Sequence, residues 1–248
     1  MITGKHLLGT ALLFSNLFTL HAQLKEGRIV YERKMNMHRH LADESMKSMI
    51  PEFSTSKVEL LFTGDESIWR NVKEETDIRD QAGEDHIRTV INVNFGGVDD
   101  VIYMNYKDEK MVKQQEMGPK KYIIEDSFPH QVWKLESDTQ SIAGHLCKKA
   151  TTRGRDNAPI VAWYAEDIVS SSGPEVFGGL PGLILQLNSN DGEMIFTAKE
   201  IDTKGVDKSL VRTPTSGKKI TRADFRKIME EQFGSGGPGK PVIRIIRN

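Results

Sequence analysis

Short stretches in which apolar and polar residues alternate recur along most of this chain. In the first of them, residues 27–37, Ile29, Tyr31 and Met35 fall on one face, which Arg33 interrupts. Alternation with a period of two residues is typical of a strand with one buried face. The separators are short and rich in Gly, Asp and Pro, as hairpin turns are. The pattern predicts antiparallel strands over residues 27–37, 57–63, 67–72, 88–95, 100–106, 110–117, 121–125, 131–136, 145–153, 159–166, 183–188 and 193–202.

Two segments have the spacing of amphipathic helices instead. The first follows the opening strand, with Asp43 as its N-cap and Pro51 limiting its length. The second begins after Thr221, which forms a capping box with Asp224, and ends at Gly234. The sequence therefore predicts a mainly β protein. Its antiparallel meander forms a curled sheet or a partly open barrel, with a short helix after the first strand and one C-terminal amphipathic helix.

The N-terminus has the pattern of a secretory signal peptide. Lys5 and His6 precede an apolar run, and Leu20, His21 and Ala22 form a cleavage site of the usual type. We expect a signal peptide at residues 1–22, a single β-rich domain at residues 23–233, and a Gly/Pro-rich spacer with a terminal β segment at residues 234–248. That last segment either joins the sheet edge or pairs with a partner. The mature protein is expected in the periplasm or at the outer membrane, with no transmembrane segment.

Composition and motifs narrow the classes of function. The chain of 248 residues has a formal net charge of −1, so no overall positive field attracts nucleic acid, and no nucleic-acid partner is predicted. The sequence lacks the short motifs of serine hydrolases, zinc proteases, P-loops and dinucleotide-binding folds. This absence predicts no cofactor and no enzymatic activity, and it leaves a hydrolase as a lower alternative.

Two further features carry candidate chemistry. Cys147 is the only cysteine, which excludes an internal disulfide and leaves open whether the thiol is buried or reactive. Thioether and imidazole side chains are copper ligands, so copper binding is a second lower alternative. The residues that suggest it are Met35, Met37, His38, His40, Met46 and Met49.

A dense group of small residues precedes the apolar strand at residues 183–188. Gly178, Gly179, Pro181 and Gly182 require a tight turn, a positive φ, or close approach of another chain segment. The sequence G-L-P-G-L-I at residues 179–184 resembles the signature of the GLPGLI family of Bacteroidetes envelope proteins.

The resemblance extends to A-W-Y at residues 162–164, W-K-L at residues 133–135 and I-A-G-H-L-C at residues 142–147. It implies a secreted protein of the cell envelope and implies no particular reaction.

Aromatic residues surround this turn in the sequence, and they either fill the core beneath it or form the rim of a concave apolar site. The second reading gives the leading hypothesis: a non-enzymatic binding or carrier protein for an apolar ligand, either a lipid or a peptide. The alternative is an accessory protein that binds an outer-membrane transport component through the turn or the terminal strand. The candidate site residues are Trp133, Trp163, Tyr164, Phe177, Gly179, Leu180, Pro181, Gly182 and Leu183.

Overall fold

A computed structural model describes residues 25–41, 44–72, 99–154 and 157–233, which form a twelve-stranded sheet with two helices. The predicted strand at 88–95, the signal peptide and the segment 234–248 lie outside these residues. The helices are α1 (Glu44–Lys47) and α2 (Arg222–Phe233), with 3-10 turns at Met37–His40 and Lys208–Leu210. The strands are β1 (Glu26–Asn36), β2 (Phe53–Thr63), β3 (Glu66–Asn71), β4 (Val101–Asn105), β5 (Lys110–Met117), β6 (Lys120–Ser127), β7 (Lys134–Ile142), β8 (His145–Arg153), β9 (Pro159–Ala165), β10 (Leu183–Ser189), β11 (Met194–Asp202) and β12 (Lys218–Lys219).

The sheet consists of two meanders that lie side by side. Its strand order is β12-β6-β5-β4-β3-β2-β1-β11-β10-β9-β8-β7, and every neighbouring pair is antiparallel except β12 with β6. The meanders meet where β1 pairs with β11, from Arg28 opposite Asp202 to Met35 opposite Met194. The first strand of the chain is therefore central in the sheet. Among the described residues β7 and β12 do not pair with each other, so the sheet is open.

The predicted fold class is confirmed: the protein is mainly β, with an antiparallel meander, a short helix after β1 and one C-terminal helix. Several boundaries differ from the prediction. Helix α1 has only 4 residues, and its predicted N-cap, Asp43, lies outside the described residues; strand β2 begins at Phe53, ahead of the predicted start at residue 57. Strand β7 begins at Lys134 and continues to Ile142, through residues that are mostly exposed, as an edge strand with little burial allows.

One face of the sheet, which we call the core face, carries the main hydrophobic cluster. Tyr31, Leu60, Trp69 and Phe196 are buried there, and Trp69 contacts the rings of Tyr31 and Phe196 at centroid distances of 5.4 Å. Residues 166–182, between β9 and β10, contribute buried side chains to the same cluster. The Tyr31 hydroxyl donates a hydrogen bond of 2.7 Å to the carbonyl of Ile184, which ties β1 to β10.

Smaller clusters cover the other half of the sheet. Helix α2 packs Phe225 against Tyr122 of β6, with ring centroids 5.6 Å apart. On the opposite side, Val206 and Val211 pack against a second cluster that includes Ile68 of β3. Neither described helix is long and apolar enough to cross a membrane.

Candidate functional site

A large cavity lies where β8 and β10 end and β9 and β11 begin, beneath the loops 128–133 and 173–178. Its volume is about 1390 Å³, which exceeds the roughly 300–1,000 Å³ of sites for small ligands. The cavity is therefore large enough for an extended ligand. Its walls combine apolar, charged and amide side chains, among them His130, Val132, Arg153, Glu175, Phe177, Asn190, Glu193, Met194 and Phe196.

Glu175 is the residue of this cavity with the least ordinary environment. Its φ is 54°, in the left-handed region that costs a residue with a side chain about 1–2 kcal/mol. Burial raises the pKa of the Glu175 carboxyl, whereas the positive charges of Arg33 and Lys113 act to lower it. Left-handed backbone strain and carboxyls with a raised pKa both concentrate at functional sites. Glu175 is therefore the strongest candidate for chemistry in the described structure.

Arg33 exerts the stronger of the two attractions on that carboxyl. It lies in β1 between the buried residues Tyr31 and Met35, so it is the polar exception on the core face. Burial lowers the pKa of its guanidinium, against the opposing attraction of Glu175, and the group stays charged at neutral pH. Its Nε donates to the Ser56 hydroxyl at 2.9 Å, which fixes its position. Arg33 does not line the cavity, so it acts on the Glu175 carboxyl through its charge, from its position in the sheet.

Side chains from the neighbouring loop hold the Glu175 segment in place. The Trp133 indole donates to the Gly178 carbonyl at 2.8 Å, and the Gln131 amide donates to the Val176 carbonyl at 3.2 Å. Within the segment, the Phe177 amide donates to the Pro174 carbonyl at 3.0 Å. These bonds fix the backbone on the C-terminal side of Glu175, so its conformation is imposed by the fold.

A smaller cavity of about 210 Å³ adjoins the large one beside this segment. Tyr106, Phe128 and His130 form an aromatic row along it, with successive ring centroids 5.5 and 5.6 Å apart. Gly178 and Gly179 close the other side. His130 lines both cavities, so the two are neighbours along one surface.

The glycine-rich turn is packed into the core. A Cβ added to Gly182 would lie 2.2 Å from the carbonyl oxygen of Ala165, so this glycine permits a close approach of two backbones. Gly179 has a φ of 81° and open space around it, so the left-handed backbone conformation is what favours a glycine at this position. Leu180 and Leu183 are 3% and 0% exposed. The turn therefore presents little apolar surface to solvent.

The candidate residues from the sequence are separated by the fold. Phe177 lines the large cavity, Gly179 lines the small one, and Trp133 holds the loop beside both. Tyr164, Leu180, Gly182 and Leu183 are buried, and Pro181 is exposed at the turn. Trp163 is half-buried in β9 and packs against the main hydrophobic cluster.

The two charged residues of the site were not among those candidates. Arg33 had a visible signal, because it breaks the apolar alternation of the first strand. Glu175 had none, since its environment depends on β1, β5 and the loop 128–133, which are distant in the sequence.

The structure answers two questions that the sequence left open. Cys147 is 0% exposed, and burial raises the pKa of its thiol to about 11, so it is a buried and unreactive cysteine. Of the proposed copper ligands, Met35 and Met37 pack in the core against Ile50. The Ile50 carbonyl lies 2.8 Å from the Nε2 of His38, a third proposed ligand. Among the described residues no group of three or more His, Cys, Asp or Glu could hold a metal ion.

Comparison with known proteins shows that this chain is similar to a family of N-glycanase domains and to two solved structures. A family model described as N-glycanase peptide, N-terminal domain, matches residues 98–226. Two structures of PNGF-II, in space groups P21 and C2, resemble the chain with TM-scores of 0.56 and 0.55 and sequence identities of 17% and 16%. Each likeness covers 82% of this chain, but only 33% and 32% of PNGF-II, so the chain spans about a third of that protein. No curated protein sequence matches the chain.

The family match corrects three expectations from the sequence. The hypothesis of a non-enzymatic binding or carrier protein for an apolar ligand is wrong. The expectation that the chain has no enzymatic activity and its description as a binding protein of unknown function are wrong as well. The error arose because the absence of the common short catalytic motifs from this sequence was taken as evidence against an enzyme. The resemblance to the GLPGLI family stays a prediction.

Proposed function

Because this chain belongs to the family of N-glycanase peptide, N-terminal domains, we propose that it acts in the hydrolytic removal of asparagine-linked glycans. In this proposal the large cavity receives the glycosylated asparagine with part of its glycan and peptide. The observation that carries the proposal is the environment of Glu175. Its backbone lies in the left-handed region, the pKa of its carboxyl is raised, and it lines a cavity of about 1390 Å³.

The chemistry of the substrate suits the Glu175 carboxyl. In an N-linked glycan the first sugar is attached to the side-chain amide of asparagine, which offers one N–H donor and one carbonyl acceptor. The Glu175 carboxylate accepts from the N–H. When protonated, Glu175 can instead deliver a proton to the departing nitrogen as water attacks the amide carbon. Glu175 is therefore suited to the bond that an N-glycanase breaks.

The rest of the cavity suits the groups on either side of that bond. Asn190 donates to the Glu193 carboxylate, and this bonded pair gives the lining a polar side that faces sugar hydroxyls, whereas Phe177 and Phe196 provide apolar surface for sugar rings or peptide side chains. A single asparagine-linked sugar would leave much of the volume empty. The cavity therefore fits a glycopeptide better than it fits a monosaccharide.

Export of the protein is part of the same proposal. N-linked glycans are carried by surface and secreted proteins, so a chain exported through the predicted signal peptide at residues 1–22 would meet them outside the cell. Membership of the GLPGLI family and contact with an outer-membrane transport component are compatible with this setting, and both remain untested predictions.

The test uses a synthetic peptide with one N-glycosylated asparagine, the same peptide without sugar, and the chain from Gln23 onward. Calorimetry measures binding, and mass spectrometry of the incubated peptide measures conversion of the asparagine to aspartate. We expect the glycosylated peptide to be bound in preference to the bare one. Glu175→Gln should weaken its binding about tenfold, because a hydrogen bond to a charged group contributes roughly 1.5–3 kcal/mol.

Glu200→Gln is the matched control, since Glu200 is an exposed residue of β11 outside the cavity lining. This variant should behave as the unmodified chain does. A glycopeptide that is neither bound nor cleaved would overturn the proposed function. Binding that Glu175→Gln and Glu200→Gln leave equally unchanged would overturn the assignment of the site to this cavity.

A further inference from the structure

The small cavity beside the Glu175 segment has no role in the proposed function. Its volume is about 210 Å³, which is below the roughly 300–1,000 Å³ of sites for small ligands. It is therefore too small for a whole glycopeptide, and its size suits one side chain of such a ligand.

Apolar and aromatic groups make up most of the lining of this cavity. Met104, which is 2% exposed, contributes from the packed core, and Pro129 adds further apolar surface. The rings of Tyr106, Phe128 and His130 stand in a row with successive centroids 5.5 and 5.6 Å apart. Aromatic rings bury large areas when they pack against other apolar groups. The cavity therefore offers an apolar side chain several contact surfaces.

Two polar groups of the lining already have partners within the protein. The Tyr106 hydroxyl is hydrogen-bonded to the side chains of Ser67 and Ser172. The Gln131 amide donates to the Val176 carbonyl at 3.2 Å. An apolar side chain that enters the cavity therefore leaves these hydrogen bonds intact.

Charge in the lining is confined to one histidine. Among the described residues that line the cavity none is acidic, and His130 is the one basic residue. The Nε2 of His130 lies 3.7 Å from the Glu109 carboxylate, which does not line the cavity. A cationic side chain of a ligand would therefore find no carboxylate in this lining.

Three residues line both cavities, so the two share a boundary. They are His130, Gln131 and Val176. Val176 directly follows Glu175, and the Cα atoms of consecutive residues lie about 3.8 Å apart. A ligand whose asparagine lies at Glu175 therefore has neighbouring side chains within reach of the small cavity.

The geometry of an extended peptide indicates which side chain enters. Side chains two positions apart project on the same side of the chain, about 6.6 Å from one another. With the glycosylated asparagine at Glu175, the residue two positions before it or two positions after it faces the small cavity. The residue two positions after the asparagine is Ser or Thr in the usual acceptor sequence. The residue two positions before it is the one that is free to be apolar.

We propose that the small cavity binds an apolar side chain of the glycopeptide, located two residues before the glycosylated asparagine. The peptide class rests on the proposed function, and the apolar character rests on the lining of the cavity. Burial of an aliphatic or aromatic side chain there removes apolar surface from water, which strengthens binding in proportion to the area buried. The protein therefore distinguishes glycopeptides by their sequence as well as by their sugar.

The test uses calorimetry to measure binding of four synthetic glycopeptides to the chain from Gln23 onward. The peptides carry the same sugar and differ only two residues before the asparagine, where they have alanine, leucine, phenylalanine or lysine. We expect leucine and phenylalanine to strengthen binding about tenfold relative to alanine, and lysine to leave it unchanged. Equal binding of the alanine, leucine and phenylalanine peptides overturns the proposal, and so does a gain from lysine as large as that from leucine.

Phe128→Ala locates the preference, because it removes one ring from the lining of the small cavity. The ratio of the affinities for the leucine and alanine peptides should fall from about tenfold to below about threefold. Phe53→Ala is the matched control, since Phe53 is 38% exposed at the start of β2 and lines neither cavity. This variant should keep the full ratio. Equal ratios in the two variants would contradict the location.

His130→Ala keeps the location testable if Phe128→Ala fails to fold. The His130 side chain is 68% exposed, so its removal leaves the packed core intact. The variant should reduce the same ratio several-fold. His130 also lines the large cavity, but the ratio compares two peptides with the same sugar, so an effect there cancels. A ratio that His130→Ala leaves at its original value would count against the small cavity.

Sugar-free forms of the same peptides separate this proposal from the proposed function. If the glycosylated peptides are bound in preference to the bare ones and the varied residue makes no difference, the proposed function stands and the small cavity assignment fails. If leucine is preferred to alanine with and without sugar, and the sugar adds nothing, the small cavity assignment stands and the proposed function fails. Glu175→Gln should weaken binding of all four glycopeptides by the same factor, because Glu175 lines only the large cavity.

Discussion

Gly182 allows the sharpest test of how the turn before β10 is built. In Gly182→Ala the new Cβ would lie 2.2 Å from the Ala165 oxygen and 2.6 Å from the Ala165 carbonyl carbon, about 1 Å inside ordinary contact. Both obstacles are backbone atoms at the end of β9, so no side-chain rotation can relieve the overlap. Overpacking of a core costs about 1–3 kcal/mol, and a backbone obstacle places this variant at the upper end, at about 3 kcal/mol.

Gly179→Ala is the contrasting variant in the same turn. Its added Cβ meets open space, and its cost comes only from the φ of 81°. A left-handed alanine costs about 1–2 kcal/mol, of which roughly 0.4–1 kcal/mol is offset by lower freedom of the unfolded chain. Gly144→Ala, in the hairpin between β7 and β8 with a φ of 86° and open space, should cost the same small amount.

Urea unfolding of the three variants and the unmodified chain measures these differences in the free energy of unfolding. We expect Gly182→Ala to lose about 3 kcal/mol, which corresponds to a fall in Tm of roughly 6–12 °C for a domain of this size. Gly179→Ala and Gly144→Ala should each lose about 1 kcal/mol. A Gly182→Ala variant no less stable than Gly179→Ala would show that close backbone approach does not explain this glycine.

Three further predictions concern the buried residues Tyr31 and Cys147 and the cavity residue Glu175. Tyr31→Phe leaves the Ile184 carbonyl without its 2.7 Å donor, so the free energy of unfolding should fall by about 1–3 kcal/mol, and a loss of less than 0.5 kcal/mol in urea unfolding would refute this. Cys147, with its thiol pKa raised to about 11, should not react with a thiol reagent at pH 8 until denaturant is added; rapid reaction of the folded chain would contradict its burial. Because burial raises the pKa of Glu175, the folded state holds that proton more tightly, so the stability contributed by this group is greatest below an ordinary Glu pKa of about 4.3 and falls as pH rises through the folded pKa. Glu175→Gln should therefore gain stability relative to the unmodified chain between acidic and neutral pH, and a pH-independent difference would refute the assignment.

Local patterns predicted most of the individual strands. The boundaries of β5 and β8 agree with residues 110–117 and 145–153, because each strand has clear turn residues on both sides. Helix α2 was also predicted, and its capping box is present: the Asp224 amide donates to the Thr221 hydroxyl at 3.1 Å. The order of the strands was not predicted. The pairing of β1 with β11 depends on contacts between distant residues, which local alternation does not encode.

The candidate site was predicted only at its margin. Two of the aromatic residues predicted near the glycine-rich turn, Phe177 and Trp133, lie beside the cavities. The buried position of Leu180, which is 3% exposed, shows that an apolar turn can serve packing alone. Glu175 could not be singled out, because its raised pKa comes from burial by the folded chain and an isolated Glu in the sequence carries no such signal.

The junction of β1 and β11 also has a consequence for how the protein reaches its folded state. Strands β1 to β6 form one meander and strands β7 to β11 form the other, and in the described sheet β1 with β11 is the one strand pairing that joins the two. Until β11 has been synthesised and has paired with β1, the backbone N–H and C=O groups along one edge of β1 have no partner and can pair with another chain. Contacts between residues so far apart in sequence also slow folding. Destabilising this junction should therefore promote aggregation through β1 before it affects the pairing within either meander.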